Sequence, residues 1–319
     1  MLINGQWTQD WSPSDNKDSK GRYIRQLAGF RNWITATGIA GPTGEQGFVA
    51  EQGRYHLYAA YNCPWASRAL TVLYLKGLED CISVTFVNPK ITDQGWKFEG
   101  FPLCEKEPLY GFDFLHQVYT KSDQQYSGRV TVPVLWDKKN QCIVSNESAD
   151  IIRMFNSAFN EVTGSELDLY PEDLREEIDA LNKAVYQNLN NGVYKAGFAT
   201  TQSAYEEAYH AVFAQLDALE SRLSDGRSFL FGERLTETDI CAFVTLIRFD
   251  EVYHGLFKCN RNLLAQMPYL SAYTRRIYAL PKIHQTVKFK HIKHHYYGIK
   301  ALNPNGVIPL GPEGFAKKE

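Results

Sequence analysis

The sequence predicts two domains of different class, a small βαβ–ββα domain and behind it an all-helical one. Three observations carry this reading. A strand gives way abruptly to a helix at residues 55–77, β-favouring runs return at 82–87, 130–136 and 142–144, and beyond about residue 165 only helical periodicity remains. With 319 residues, 44% of them hydrophobic, the chain has enough apolar side chain for two cores.

Residues 1–50 hold no sustained period and include the polar cluster Ser14-Asp15-Asn16-Lys17-Asp18, so they read as an irregular extension, packed on the body through Phe30, Trp33 and Ile34. The first domain is expected over 51–160. Residues 55–61 are apolar and aromatic with no proline, which predicts a buried strand. Asn62 then stands where a helix N-cap is wanted, and Pro64 suits a first turn that does not need its N–H. Ala66, Ala69, Leu70, Leu73 and Tyr74 recur at helical steps until Gly77 stops the run. An alternating strand follows at 82–87, so the unit opens as a right-handed βαβ with parallel strands.

Residues 90–128 form a long insertion of weak periodicity, rich in aromatics such as Trp96, Phe98, Tyr110, Phe114, Tyr119 and Tyr126. Loops of this length inside a compact domain are usually functional or disordered, and the aromatic content argues against disorder. The strand at 130–136 is broken by Pro133, which a sheet tolerates only at edges, bulges or special turns; a cis Val132–Pro133 bond is one such turn. Residues 142–144 make the next strand, and Ser145-Asn146-Glu147-Ser148 opens a helix through Ile151, Ile152, Met154 and Phe155.

The helical domain is expected over 161–300, with a turn-rich tail over 301–319. Its first helix carries Leu174, Ile178, Leu181, Val185 and Leu189, and its second Tyr205, Tyr209, Val212, Leu216, Leu219 and Leu223. Thr236-Glu237-Thr238-Asp239 matches a capping box with Asp in place of Glu, opening an apolar helix over 240–249.

Composition narrows the function. The net charge of −2 gives no general reason to expect nucleic acid or an anionic membrane as partner. No apolar run reaches membrane-span length, and residues 1–10 lack a signal-peptide core. The six cysteines are scattered without a C-x-x-C pair, which argues against a dithiol motif or zinc knuckle and for reduced thiols in the cytoplasm. His291, His294 and His295 could gather a metal by spacing, but no Cys or carboxylate completes the set and Lys288, Lys290 and Lys293 would repel a cation. The segment reads as a solvated basic face, and no metal is expected.

Cys63 is the residue with chemistry to offer. It sits at the junction of a strand and the positive end of a helix, where backbone N–H groups and the helix dipole favour thiolate over thiol. Elsewhere in the sequence, the strand edge beside Pro133 offers the Val132 main chain to an extended peptide. Glu147 can accept from an amine, Ser148 with its helix N-terminus can hold a carboxylate, and Arg129 can offer a fork of donors to one.

The order of elements resembles a thioredoxin-fold domain joined to a glutathione-transferase helical domain. Four motifs narrow the resemblance: Tyr-Asn-Cys-Pro-Trp-Ala at 61–66, Tyr-Ser-Gly-Arg-Val-Thr-Val-Pro-Val-Leu-Trp-Asp at 126–137, Ser-Asn-Glu-Ser at 145–148, and His-Tyr-Tyr-Gly with Asn-Pro at 295–304. Together they resemble the Xi class of glutathione transferases, the glutathionyl-hydroquinone reductases, from about residue 30 to 312. Ser67 departs from the pattern, where a His is expected.

The resemblance implies glutathione as co-substrate, bound by Trp96, Arg129, Val130, Thr131, Val132, Pro133, Glu147 and Ser148, although by sequence alone Trp96 is equally a core residue. It also implies Cys63 as nucleophile, Tyr194 as proton donor and acceptor, and Tyr253 and Tyr296 as tyrosines that lower the cysteine's pKa, with Tyr297 as the alternative to Tyr296. A homodimer is expected. A cysteine in place of the Tyr or Ser of conjugating transferases attacks sulfur itself, which favours removing glutathione over adding it. Two other readings stay open: an omega-like thiol transferase or dehydroascorbate reductase using the same Cys63, and a non-catalytic protein that binds glutathione or aromatic ligands.

Overall fold

The computed structural model describes residues 1–9 and 16–312; Ser14 and Asp15 of the polar cluster and residues 313–319 of the tail lie outside it. The described chain divides into two compact units, one of residues 1–9 and 27–167, the other of 16–26 and 168–312.

In the first unit, the short strands β1 (Leu2–Ile3) and β2 (Gln6–Trp7) pair antiparallel, and β3 (Trp33–Thr35) pairs parallel with β4 (Gly47–Val49). The predicted irregular extension is therefore corrected: it contains four strands, each too short to leave a period in the sequence. A four-stranded sheet follows in the order β6-β5-β7-β8. Here β5 (Tyr55–Ala59) runs parallel to β6 (Ile82–Phe86) and antiparallel to β7 (Val134–Asp137), which pairs antiparallel with β8 (Cys142–Ser145). All five residues of β5, His56 included, are buried, as befits a central strand. The crossover from β5 to β6 is α1 (Pro64–Leu75), closed by Gly77 at φ +66°, a left-handed C-terminal stop that glycine takes without steric cost.

Asn62 is not the N-cap of α1. Cys63 is: its backbone is extended (φ −80°, ψ 119°), its carbonyl accepts the first helical bond from Ser67 (2.9 Å), and Pro64 follows at the first helical position. The aromatic insertion also hides a helix, α2 (Leu115–Ser122), where Gln117 Oε1 accepts from Phe114 N–H (2.9 Å) at the helix start. Only Leu115, Val118 and Tyr119 mark its buried face, too few to show as periodicity among so many aromatics. The unit ends with α3 (Ser148–Ser157), packed on α1, and the short α4 (Asn160–Thr163).

His56 on β5 carries a testable consequence of burial. Its Nδ1 lies 2.7 Å from Ser83 Oγ inside the sheet, and desolvation pushes the imidazole from its ordinary 6.5 down to about 4. Between those two values the unfolded chain binds a proton that the folded chain refuses, so stability falls as pH drops from 6.5 and levels off below about 4. Burial of this one group should cost about 3 kcal/mol across that window. Denaturant unfolding of a His56→Gln variant should show the acid limb reduced by about that amount; parallel pH profiles for the two proteins would contradict it.

The second unit is helical: α5 (Arg175–Ala184), α6 (Gly192–Gly197), α7 (Gln202–Leu223), α8 (Glu237–Arg248), α9 (Pro268–Tyr278) and α10 (Phe289–Tyr296). Among the described residues, π-helical turns interrupt it at Val185–Asn190 after α5, where the sequence predicts plain α-helix, and at Phe249–Tyr253 after α8, just where the predicted helix ends. Such turns recur at functional sites because the widened helix re-aims the side chains beside it. The capping box at α8 is present: Asp239 Oδ2 accepts from Thr236 N–H (2.8 Å) and Oγ1 (2.9 Å), while Oδ1 accepts from Leu230 N–H and the Tyr273 hydroxyl (2.8 Å each). Among the described residues no helix is long and apolar enough to cross a membrane.

Candidate active site

Cys63 is half-buried at the N-cap of α1, at the positive end of the helix dipole, which favours negative charge on sulfur. Its Sγ lies 3.5 Å from the Val132 carbonyl oxygen, to which the thiol donates. The Val132–Pro133 peptide is cis and leads directly into β7. This brings together the two features the sequence singled out separately. Burial pushes the Cys104 and Cys259 thiols up to about 12 and the Cys142 thiol up to about 11.

The loop that carries Val132 is held by a buried tyrosine. The Tyr119 hydroxyl donates to the Thr131 carbonyl (2.8 Å) and accepts from Thr131 N–H (3.2 Å) and Asn146 Nδ2 (3.1 Å). Thr131 thus spends its main chain on Tyr119, whereas Val132 turns its carbonyl to Cys63. The Asn146 side chain also accepts from Phe30 N–H (3.1 Å), so the extension helps to fix this loop. Tyr119 and Asn146 stand in stretches the sequence marked, but nothing local signals a contact 27 residues apart.

Glu147 is the N-cap of α3, its Oε1 accepting from Ala149 N–H (3.0 Å) and the Ser148 hydroxyl (3.5 Å). It therefore secures a helix whose N-terminus, with buried Ser148, suits an anion. Arg129 and Val130 are half-buried on the approach to Thr131, and the Arg129 carbonyl accepts from the Tyr126 hydroxyl (3.2 Å). Trp96 is half-buried, and its carbonyl accepts from Leu115 N–H (2.9 Å) at the start of α2.

In the helical unit, three tyrosines far apart in sequence meet at their hydroxyls. Tyr296 on α10 shares hydrogen bonds with Tyr194 on α6 (2.5 Å) and with Tyr253 at the end of the second π-turn (2.9 Å). Tyr253 and Tyr296 are buried, Tyr194 half-buried, and the Phe257 ring touches all three. Gly197 makes room for Phe257, since a Cβ there would fall 2.4 Å from its Cγ. Burial, then the neighbouring Tyr194 and Tyr253, push the Tyr296 phenol well above the ordinary range, so it stays protonated and can donate once while accepting. Tyr297 goes elsewhere, donating to the Glu251 carbonyl (3.3 Å). Tyr194 lies on α6, directly after a π-turn.

The basic face predicted for α10 needs correcting. His291 is buried, and Lys293 is nearly so, paired with buried Glu251 (2.9 Å) and donating to the Leu310 and Gly311 carbonyls (3.0 Å each). Lys293 finds a carboxylate from the π-turn that α10 itself could not reveal. Among the described residues, no group of three or more His, Cys, Asp or Glu is placed to hold a metal.

A thioredoxin-like sheet with a cysteine at the first helix N-cap, a cis-proline loop against its sulfur and a separate helical unit define a cysteine-type glutathione transferase. Family models agree: the "Glutathione S-transferase, N-terminal domain" matches residues 62–158 and the "Glutathione S-transferase, C-terminal domain" 202–276. The chain is 50% identical over 314 residues to glutathionyl-hydroquinone reductase YqjG of Escherichia coli, spanning 98% of this chain and 95% of that one. It is 46% identical over 313 residues to glutathionyl-hydroquinone reductase PcpF of Sphingobium chlorophenolicum, spanning 98% and 96%. The glutathione-bound structure of YqjG superposes with a TM-score of 0.89 at 48% identity over 98% of this chain and 95% of that one. The glutathione transferase Xi of Phanerochaete chrysosporium superposes at 0.87 with 46% identity, over 93% and 95%. The chain belongs to the glutathionyl-hydroquinone reductases, the Xi class of the glutathione transferases.

Proposed function

We propose that this protein removes glutathione from glutathionyl-hydroquinones, with free glutathione as reductant. The observation that carries the reading is a thiol, not a hydroxyl, at the α1 N-cap: Cys63 Sγ lies beside the Val132 carbonyl and at a helix N-terminus. A hydroxyl there can only assist glutathione's own sulfur, whereas a cysteine can take that sulfur over.

In the proposed reaction the conjugate's glutathionyl part lies along Val132 as an added strand. Pro133, Val130 and Thr131 shape that edge. Glu147 receives the γ-glutamyl amine, Ser148 with the α3 N-terminus and Arg129 receive carboxylates, and Trp96 packs on the tripeptide. The substrate ring ketonises as its hydroxyl gives up its proton to water and Tyr194 protonates the carbon bearing sulfur. The Cys63 thiolate then attacks that sulfur, and a disulfide bond forms as the carbon–sulfur bond breaks. Its electron pair returns to the ring as an enolate, which gains a proton and becomes the hydroquinone. The thiolate of a second glutathione attacks Cys63–S–S–glutathione, releasing glutathione disulfide and the Cys63 thiolate. Tyr253 and Tyr296 are assigned to hold Tyr194 and to favour the Cys63 thiolate. The protein would work in the reducing cytoplasm, as a homodimer and without a metal.

The test is product analysis by mass spectrometry after incubation with a glutathionyl-hydroquinone and glutathione. Hydroquinone and glutathione disulfide in equal amounts are expected. Turnover of glutathione mixed disulfides alone would instead mark a thiol transferase, and binding without turnover a ligand-binding protein.

A further inference from the structure

Residues 16–26 belong to the helical unit, and they are fastened there at several points. Thr201 Oγ1 donates to the Lys20 carbonyl (2.8 Å), Thr200 N–H to the Gly21 carbonyl (3.1 Å), and Arg22 pairs with Glu207 (2.7 Å). Gly21, at φ +79°, is pressed so closely that a Cβ would fall 2.7 Å from Thr200 Oγ1. The Tyr23 ring packs on Phe198 at 5.6 Å. The strap ends with the Arg25 guanidinium over the face of Tyr194, 4.7 Å from the ring centroid, while its Nε donates to Asn191 Oδ1 (2.9 Å), three residues before that tyrosine.

A cation on a phenol face is attracted by the ring quadrupole, and far more strongly once the phenol carries a full negative charge. We propose that Arg25 is a positioning residue for the proton transfer by Tyr194, stabilising the phenolate that this tyrosine becomes when it releases its proton. The inference rests on the proposed role of Tyr194. The Tyr194 O–H bond breaks, the proton goes to the substrate carbon that bears sulfur, and the electron pair stays on the phenolic oxygen. There the Tyr296 hydroxyl donates to it and the guanidinium faces the ring. Tyr194 regains a proton from water, matched by the one that the second glutathione thiol releases. Because the interaction strengthens as charge develops, it lowers the barrier rather than only binding the ground state. The extension, whose sequence shows no motif, thereby acquires a part in the chemistry.

The full-length protein tests this through two substrates. Arg25→Met should slow cleavage of a glutathionyl-hydroquinone about tenfold at saturating substrate, and Arg25→Lys should recover most of that rate. Reduction of a glutathione mixed disulfide, which needs no carbon protonation, should change by less than about twofold in either variant. In a Tyr194→Phe background, Arg25→Met should cost almost nothing more, since the two side chains act as one unit. Unchanged thioether cleavage in Arg25→Met, equal loss on both substrates, or additive losses in the double variant would each overturn the proposal. Failure of the unmodified protein to cleave the thioether would remove the functional reading itself, a result distinct from all three.

Discussion

Replacing Cys63 with serine is expected to abolish reductase turnover while leaving glutathione affinity within about threefold of the parent protein. Serine preserves the α1 N-cap, and would donate to the Val132 carbonyl much as the thiol does at 3.5 Å. The groups assigned to the tripeptide are untouched. What disappears is the disulfide-forming nucleophile, for which a hydroxyl has no substitute, so the loss should exceed about 10⁴-fold. A conjugating activity is expected to appear in the variant, because its hydroxyl can assist the thiolate of bound glutathione. Binding by calorimetry and turnover on the conjugate decide the matter, and a Cys63→Ser protein that still reduces glutathionyl-hydroquinones would remove Cys63 from the mechanism.

Tyr194→Phe is expected to slow thioether cleavage by about 10²–10⁴-fold, the scale of a lost general acid. Reduction of an ordinary glutathione mixed disulfide should scarcely change, because its leaving thiolate needs little protonation near neutral pH. Both substrates use Cys63 and the same tripeptide site, so damage to either would slow the two reactions together. The hydroxyl chain refines the expectation. Tyr296 bridges Tyr194 at 2.5 Å and Tyr253 at 2.9 Å, so Tyr296→Phe breaks both links and, unlike Tyr194→Phe, should slow both substrates at low pH through the Cys63 thiolate it favours, whereas Tyr253→Phe breaks one link and should be milder. Equal losses on both substrates for Tyr194→Phe, recovered as pH rises, would assign that tyrosine to stabilising the Cys63 thiolate instead. No loss on either would leave it a packing residue.

What the sequence disclosed depended on the range of the interaction that carried each feature. The β5–α1 unit was legible because a buried strand, a proline at the first helical position and a glycine stop are all local signals. The capping box at Thr236 and the cis bond at Pro133 were legible for the same reason. Strands of two or three residues such as β1 and β3 leave no period, and α2 is masked by the aromatics around it. The shift of the helix cap from Asn62 to Cys63 is a single-residue matter that propensity cannot decide when proline follows. The remaining gaps are long-range. Tyr119 holding Thr131, Lys293 finding Glu251, and Arg25 lying over Tyr194 each join segments whose proximity exists only after folding. The tyrosines could be named from motifs, but their common meeting point at the Tyr296 hydroxyl could not.

The central claim is that Cys63 takes the glutathionyl sulfur from an aryl thioether, and one measurement reaches it directly. The protein is incubated with a glutathionyl-hydroquinone in the absence of free glutathione, then analysed by intact mass and peptide mapping, with the released aromatic product quantified. Without a resolving thiol the reaction should stop after one event per site. The account predicts one glutathionyl unit per chain, on the peptide containing Cys63, removable by a reductant, and one equivalent of hydroquinone. An adduct on Cys104 or Cys142, or hydroquinone released with Cys63 unmodified, would contradict it.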